Sequence, residues 1–247
     1  LAATRLALKL SDIVVTEAGF GSDLGAEKFI DIKCRVGKLT PSAVVLVATV
    51  RALKHHGHGD LADGLANLGK HINNLQGFNL PVVVALNKFT GDTQAEYQMI
   101  TDYCQERGVK MALSEVWEKG GKGGESLARI VLDLIKQPTA FKYLYNPNIG
   151  PEKVMETIAT KIYGADGVEW SDKAKQDLKK FESWGIKNLP VCVAKTQASI
   201  SDNPKLLGAP SNYKVVVREV SLSNGAGFIV MIAGNVMRMP GLPKKPA

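Results

Sequence analysis

LPVVVAL, Leu80 to Leu86, runs straight into NKFTGD, Asn87 to Asp92, and this pair of strings decides how the chain reads. The first is short, β-branched and free of charge, as a strand buried on both faces reads. The second gathers an amide, a cation, an aromatic ring, a glycine and a carboxylate. That is the composition of a loop that touches a ligand. Glycine lets a backbone come close to a ligand. An aromatic side chain beyond a strand end is badly placed to fill a core and well placed to stack on a flat ring.

The same alternation extends outward in both directions. IVVT (Ile13 to Thr16) reads as a strand, followed by the loop EAGFGSDLG and a helix near Glu27 to Val36. AVVLVATV (Ala43 to Val50) reads as a second strand, and Asp60 caps a helix running to about Leu75. After NKFTGD, Asp92 or Thr93 caps a helix to about Arg107. VKMAL (Val109 to Leu113) is a further strand, followed by SEVWEKGGKGG and a helix from about Glu125 to Lys136. Strands alternating with helices predict right-handed βαβ units on a parallel sheet. Beyond Pro138 the character changes. FKYLYN reads as a short strand or loop, and Pro151 to Tyr163 and Ser171 to Trp184 as helices. PVCVAKT reads as a strand with its loop, and YKVVVREVSL and GFIVMIAG as strands around the turn SNGAG. The fold class is therefore α/β, parallel sheets flanked by helices. A soft boundary near Gln137 divides residues 1–137, an α/β core, from 138–247, a second and smaller α/β region.

Composition narrows the function. With 247 residues, 45% hydrophobic and 22% charged, the chain can bury a sizeable core. Its three cysteines, Cys34, Cys104 and Cys192, form no C-x-x-C pair, so neither a disulfide framework nor a zinc site is indicated. A reducing, cytoplasmic setting fits. KHHGHG places His55, His56 and His58 together without a supporting carboxylate or thiol cluster, which favours a solvated loop over a metal tract. The net charge of +7 is scattered, with no basic stripe interleaved with aromatics, and points to small anionic ligands rather than nucleic acid. No stretch reaches the about 18 apolar residues that a membrane span needs. LAATRLALKL opens in mid-pattern without an initiator Met, and MPGLPKKPA closes in a Pro-rich segment; the expectation is a chain truncated at its front, with its back a further candidate for truncation.

Ligands of an open parallel sheet bind beyond the carboxyl ends of its strands, and EAGFGSDLGAE, NKFTGD, SEVWEKGGKGG and KTQASISD all fall at such positions. GFGSDLG reads either as a tight turn or as a ligand cradle, and KGGKGG as a hinge or an anion-binding nest. NKFTGD is close to the base-reading Asn-Lys-x-Asp of some nucleotide-binding folds, but Asp92 comes late. No G-x-x-x-x-G-K-[ST] and no G-x-S-x-G occurs.

The strings TEAGFGSDLGAEKFIDIKCR, VVLVATVRALKHHG, ALSEVWEKGGKGG, IYGADGV, NLPVCVAKTQASISD and MPGLPKKP occur in this order. Together they resemble formate–tetrahydrofolate ligase over nearly the whole chain. The resemblance implies a P-loop NTPase-like core with an additional smaller α/β domain. It implies ATP-dependent ligation of formate to tetrahydrofolate through formyl phosphate, with ATP and Mg2+, a monovalent cation as a further candidate, and a homo-oligomer. It matches Phe89 and Trp117 to two walls that sandwich the pterin, and Leu113 to a pocket-lining position. It matches Gly19, Phe20 and Gly21 to the segment beside the formyl-phosphate site, with Glu17 and Asp23 in polar roles there. Lys195, Gln197 and Ser199 match the loop over the nucleotide. Three departures stand out. Thr90 replaces a frequent Pro, the family's phosphate-binding loop lies upstream of this chain's first residue, and HGDLADGLANL follows KHHG at once where the family has a longer connection. The alternatives are a folate- or nucleotide-binding module without turnover and, from charge alone, an RNA-associating protein.

Overall fold

A computed structural model describes residues 1–236; MPGLPKKPA lies outside the described residues. Helix α1 (Ala2–Leu10) is followed by an irregular stretch and then by π-helical turns at Gly21–Ala26 and Phe29–Cys34, which run into α2 (Arg35–Gly37). The next elements are β1 (Val44–Ala48), α3 (Val50–His56), α4 (Leu61–Gln76), β2 (Val82–Asn87), α5 (Gln94–Gln105) and β3 (Lys110–Ser114). The first sheet has the order β1-β2-β3, parallel throughout, with Val44 opposite Val82 and Asn87 opposite Ser114. Capping residues set the helix starts. Thr49 Oγ1 accepts from Ala52 N, Asp60 Oδ1 from Asp63 N, and Thr93 forms a reciprocal capping box with Glu96.

β2 is the central strand and its first five residues are buried, as its uninterrupted apolar run predicts. β1 has the same kind of sequence but only one covered face. Val44, Leu46 and Ala48 face the core beneath α3 and α4, while Val45 and Val47 on the opposite face are exposed. Ile13 to Thr16 is not a strand. It pairs with no ladder, and Ile13 and Val15 are exposed; β-branching favours extended backbone but cannot supply a hydrogen-bonding neighbour. The helix expected near Glu27 to Val36 is present as the wider π turns. The short KHHGHGD connection folds as an ordered turn, with His58 at φ 54° and Asp60 capping α4.

After α6 (Val116–Lys119) and α7 (Glu125–Leu134) comes α8 (Pro151–Thr157), continued by a π turn at Ile158–Tyr163. Then follow β4 (Gly167–Trp170), α9 (Asp172–Ser183), β5 (Val191–Ala194), β6 (Lys214–Ser223) and β7 (Phe228–Ala233). The second sheet has the order β4-β6-β7-β5; β6 and β7 are antiparallel and the outer pairs parallel. FKYLYN is a loop, tied down where Leu144 N donates to Asp31 Oδ1 at 3.0 Å. Two cores result. Ile72, Val84, Leu86 and Ile100 anchor the first, and Met155, Ile158, Ile162, Val217 and Met231 the second. Ile30, Phe78 and Leu80 come from the first half of the sequence but are buried in the second core.

Candidate functional site

Three side chains stand just past the carboxyl ends of the first sheet's strands. Arg51 stands just past β1, Phe89 just past β2 and Trp117 just past β3. The Arg51 guanidinium lies over the Phe89 ring, 5.6 Å from its centroid. Phe89 is half exposed and Trp117 is 93% exposed. Leu113, the penultimate residue of β3, is half-buried against the first core. Asp92 closes the Phe89 turn, its Oδ2 accepting from Phe89 N at 2.9 Å. The Asp92 carboxylate is thus used by its own loop. Glu115 pins the two aromatic loops together. It accepts from Lys88 Nζ at 2.7 Å and from Lys119 Nζ at 2.8 Å, and these bonds hold its carboxyl below the usual range. Its N–H donates to Gly123 O at 3.1 Å. A Cβ at Gly123 would sit 2.4 Å from Glu115 backbone, so KGGKGG is a folded-back turn and its glycine is required by close approach.

A second cluster surrounds the glycine-rich segment. Phe20 is 85% exposed at a tip closed by a hydrogen bond from Gly25 N to Phe20 O at 3.0 Å. Gly25 packs directly on the Gly19 backbone, where a Cβ would lie 2.0 Å from Gly19 O. Gly21, at φ 69°, completes the tip. Below it, Ser22 and Asp23 turn inward. Asn74 Nδ2 donates to Ser22 Oγ at 3.1 Å, leaving the Ser22 hydroxyl to donate to His71 Nδ1 at 2.7 Å. Burial lowers the His71 pKa, which suits an acceptor Nδ1. Asp23 Oδ2 meets Lys195 Nζ at 2.7 Å across 172 residues of sequence. Glu17 stays exposed.

Beneath this lies a set of buried acids that the sequence did not single out. Glu27 is fully buried with neither carboxylate oxygen bonded, and burial pushes its pKa up to about 8. Burial also raises Asp31 to about 6, against bonds from Leu144 N–H and Arg35. The fully buried Tyr163 is held well above the usual range for a phenol, chiefly by desolvation. Only the spacing Glu27–Asp31, four residues apart on one helical face, hinted at such a group.

The expected residues thus fall into two groups. Phe89, Leu113 and Trp117 lie at the carboxyl ends of two adjacent strands, β2 and β3. Gly19, Phe20 and Gly21 are joined to the 195–199 loop through Asp23. Within that loop only Gln197 faces solvent. Lys195 and Ser199 are buried and their polar atoms are engaged inside the protein. Arg51, Lys88 and Glu115, which contact or tie down these loops, are not singled out by the sequence, because a cation at a helix start or a Glu before a Trp carries no motif. Among the described residues no three His, Cys, Asp or Glu side chains gather as a metal site, and no helix is long and apolar enough to cross a membrane.

A parallel sheet flanked by helices, with exposed rings, glycine-rich turns and cations beyond its carboxyl ends, makes this an α/β protein whose fold is consistent with the nucleotide-binding type. A family model for formate–tetrahydrofolate ligase matches residues 1–247. The chain belongs to that ligase family.

Proposed function

We propose that the protein joins formate to tetrahydrofolate, giving 10-formyltetrahydrofolate in an ATP-dependent reaction. The observation that carries this reading is the pair Phe89 and Trp117, exposed on adjacent strand ends and tied together through Lys88 and Glu115. A planar pterin between two such rings gains stacking beyond simple burial. Arg51 beside Phe89 offers a cation to the substrate's carboxylates. In the proposed sequence a formate oxygen attacks the γ-phosphorus and releases ADP. The folate N10 lone pair then attacks the formyl carbon and inorganic phosphate leaves. The Gly19–Phe20–Gly21 tip borders the formyl group and orients it. No group at either cluster stands out as a general base, so the contribution of these residues is positioning.

The 247 residues contain no G-x-x-x-x-G-K-[ST], and no convergent metal ligands stand among the described residues. The residues present do not fit a magnesium–triphosphate cradle, and no step is assigned to them through one. A monovalent cation, a homo-oligomer and a cytoplasmic setting belong to the same proposal. So does the division by role, with residues 1–137 carrying the folate and formyl loops and 138–247 the nucleotide-side loop.

The test is formation of 10-formyltetrahydrofolate from formate, ATP and tetrahydrofolate, read as the 5,10-methenyl product that forms in acid. Product establishes the ligase. Folate binding without product supports the second reading, a binding module without turnover. No binding at all removes both.

A further inference from the structure

Lys195 lies in a loop that the ligase reading turns toward a nucleotide, yet its side chain has 0% exposure. An ammonium group has three donors. All three are spent inside the protein, on Asp23 Oδ2 at 2.7 Å, Ser199 O at 2.6 Å and Thr196 O at 3.2 Å. The Tyr163 ring, fully buried, lies 5.1 Å from Nζ. No donor remains for a phosphate or a ribose. Asp23 is equally enclosed, with its side chain 6% exposed. It follows Ser22, which is fixed in turn by His71 and Asn74. The two ends of this pair therefore sit under the two loops of interest. Asp23 forms the base of the Phe20 tip, and Lys195 holds the Thr196–Ser199 turn by two of its carbonyls.

A buried ion pair is a poor device for stability, since desolvation consumes much of its attraction and an apolar pair often does as well. Its distinctive property is fixed geometry. We infer that Lys195 and Asp23 are positioning residues: they lock the Gly19–Phe20–Gly21 tip in register with the 196–199 loop, and Lys195 makes no contact with bound nucleotide. This inference deepens the ligase reading and rests on it for what the two loops hold.

The test uses Asp23→Asn and Lys195→Met in the full chain. The readouts are amide hydrogen exchange, ADP affinity and formyl transfer. Asp23→Asn keeps the shape and an acceptor and removes only the charge, so it serves if Lys195→Met does not fold. Exchange is expected to quicken in 19–26 and 196–201, including the Gly25 N–H that closes the tip, while β7 stays protected. ADP affinity should stay within about 3-fold of the parent, a difference well under 1 kcal/mol. A tip displaced by about 1 Å should lower kcat about 100-fold with little change in KM for ATP. Weakening of ADP affinity by ~10-fold or more with unchanged exchange at 19–26 would overturn the inference. So would exchange that rises evenly over the whole chain in Asp23→Asn, since that marks a merely structural pair. If the parent protein binds neither ADP nor folate, the ligase reading fails, and the exchange pattern alone still decides the lock.

Discussion

Trp117→Ala separates binding from folding more cleanly than any other change. Trp117 is 93% exposed on the single turn of α6, and none of α6 is buried. Truncation removes almost no packing, so stability should change by no more than about 0.5 kcal/mol, the usual range for surface substitutions. A bound pterin would cover one face of the indole, about half of the ~200 Å² that a Trp can bury. At roughly 25 cal/mol per Å² that is about 2.5 kcal/mol, and aromatic stacking adds about 1 kcal/mol. Rearrangement of the free loop takes part of this back. A net loss of about 3 kcal/mol corresponds to roughly 100-fold in Kd. Calorimetric titration with tetrahydrofolate, beside a thermal melt, reads both quantities. A Kd within 3-fold of the parent would take Trp117 out of the site. A large drop in Tm at unchanged affinity would show that the indole supports the fold instead.

Two further changes probe the interior. Glu27 is neutral in the folded protein up to about pH 8 but ionises near the ordinary glutamate value of 4.5 when unfolded. Its folded pKa is raised, so its contribution is whole below pH 4.5 and is lost as pH climbs toward 8. The loss at pH 7 is on the order of 3 kcal/mol. Glu27→Gln should flatten the fall of Tm between pH 5 and 8; an unaltered slope would mean the carboxyl is not the group responsible. Gly25→Ala drives a Cβ to 2.0 Å from Gly19 O, and backbone cannot rotate away as a side chain can. A loss of about 1–3 kcal/mol is expected, while Gly121→Ala, with nothing within 4 Å, should be neutral in the same denaturant titration.

Sequence legibility followed the source of each element's stability. β2 and α4 were readable because local signals agreed: an unbroken apolar run, and a capping Asp60 before a periodic helix. IVVT misled because a strand is made by its neighbour, and none comes alongside among the described residues. β4 was missed because GVEW has too few residues to show a period, and it forms by pairing with β6, whose Lys214 stands opposite Gly167. At the site, Phe89 and Trp117 could be picked out because large rings after strands are unusual there. The inward turn of Lys195 could not, since its partner Asp23 is remote in sequence and the spacing of KTQASISD carries no sign of burial.

Phe78 and Leu80 carry a consequence for how the molecule comes apart. They precede β2 of the first sheet, yet they fill the core under the second, and Lys142 N holds Phe78 O at 3.1 Å. A polypeptide beginning at residue 138 would lack both side chains and Ile30, leaving a void at the centre of its own packing. The order of the two sheets along the chain is therefore not a division of folding. The two sheets should melt as a single cooperative unit, and neither half should survive proteolytic separation from the other.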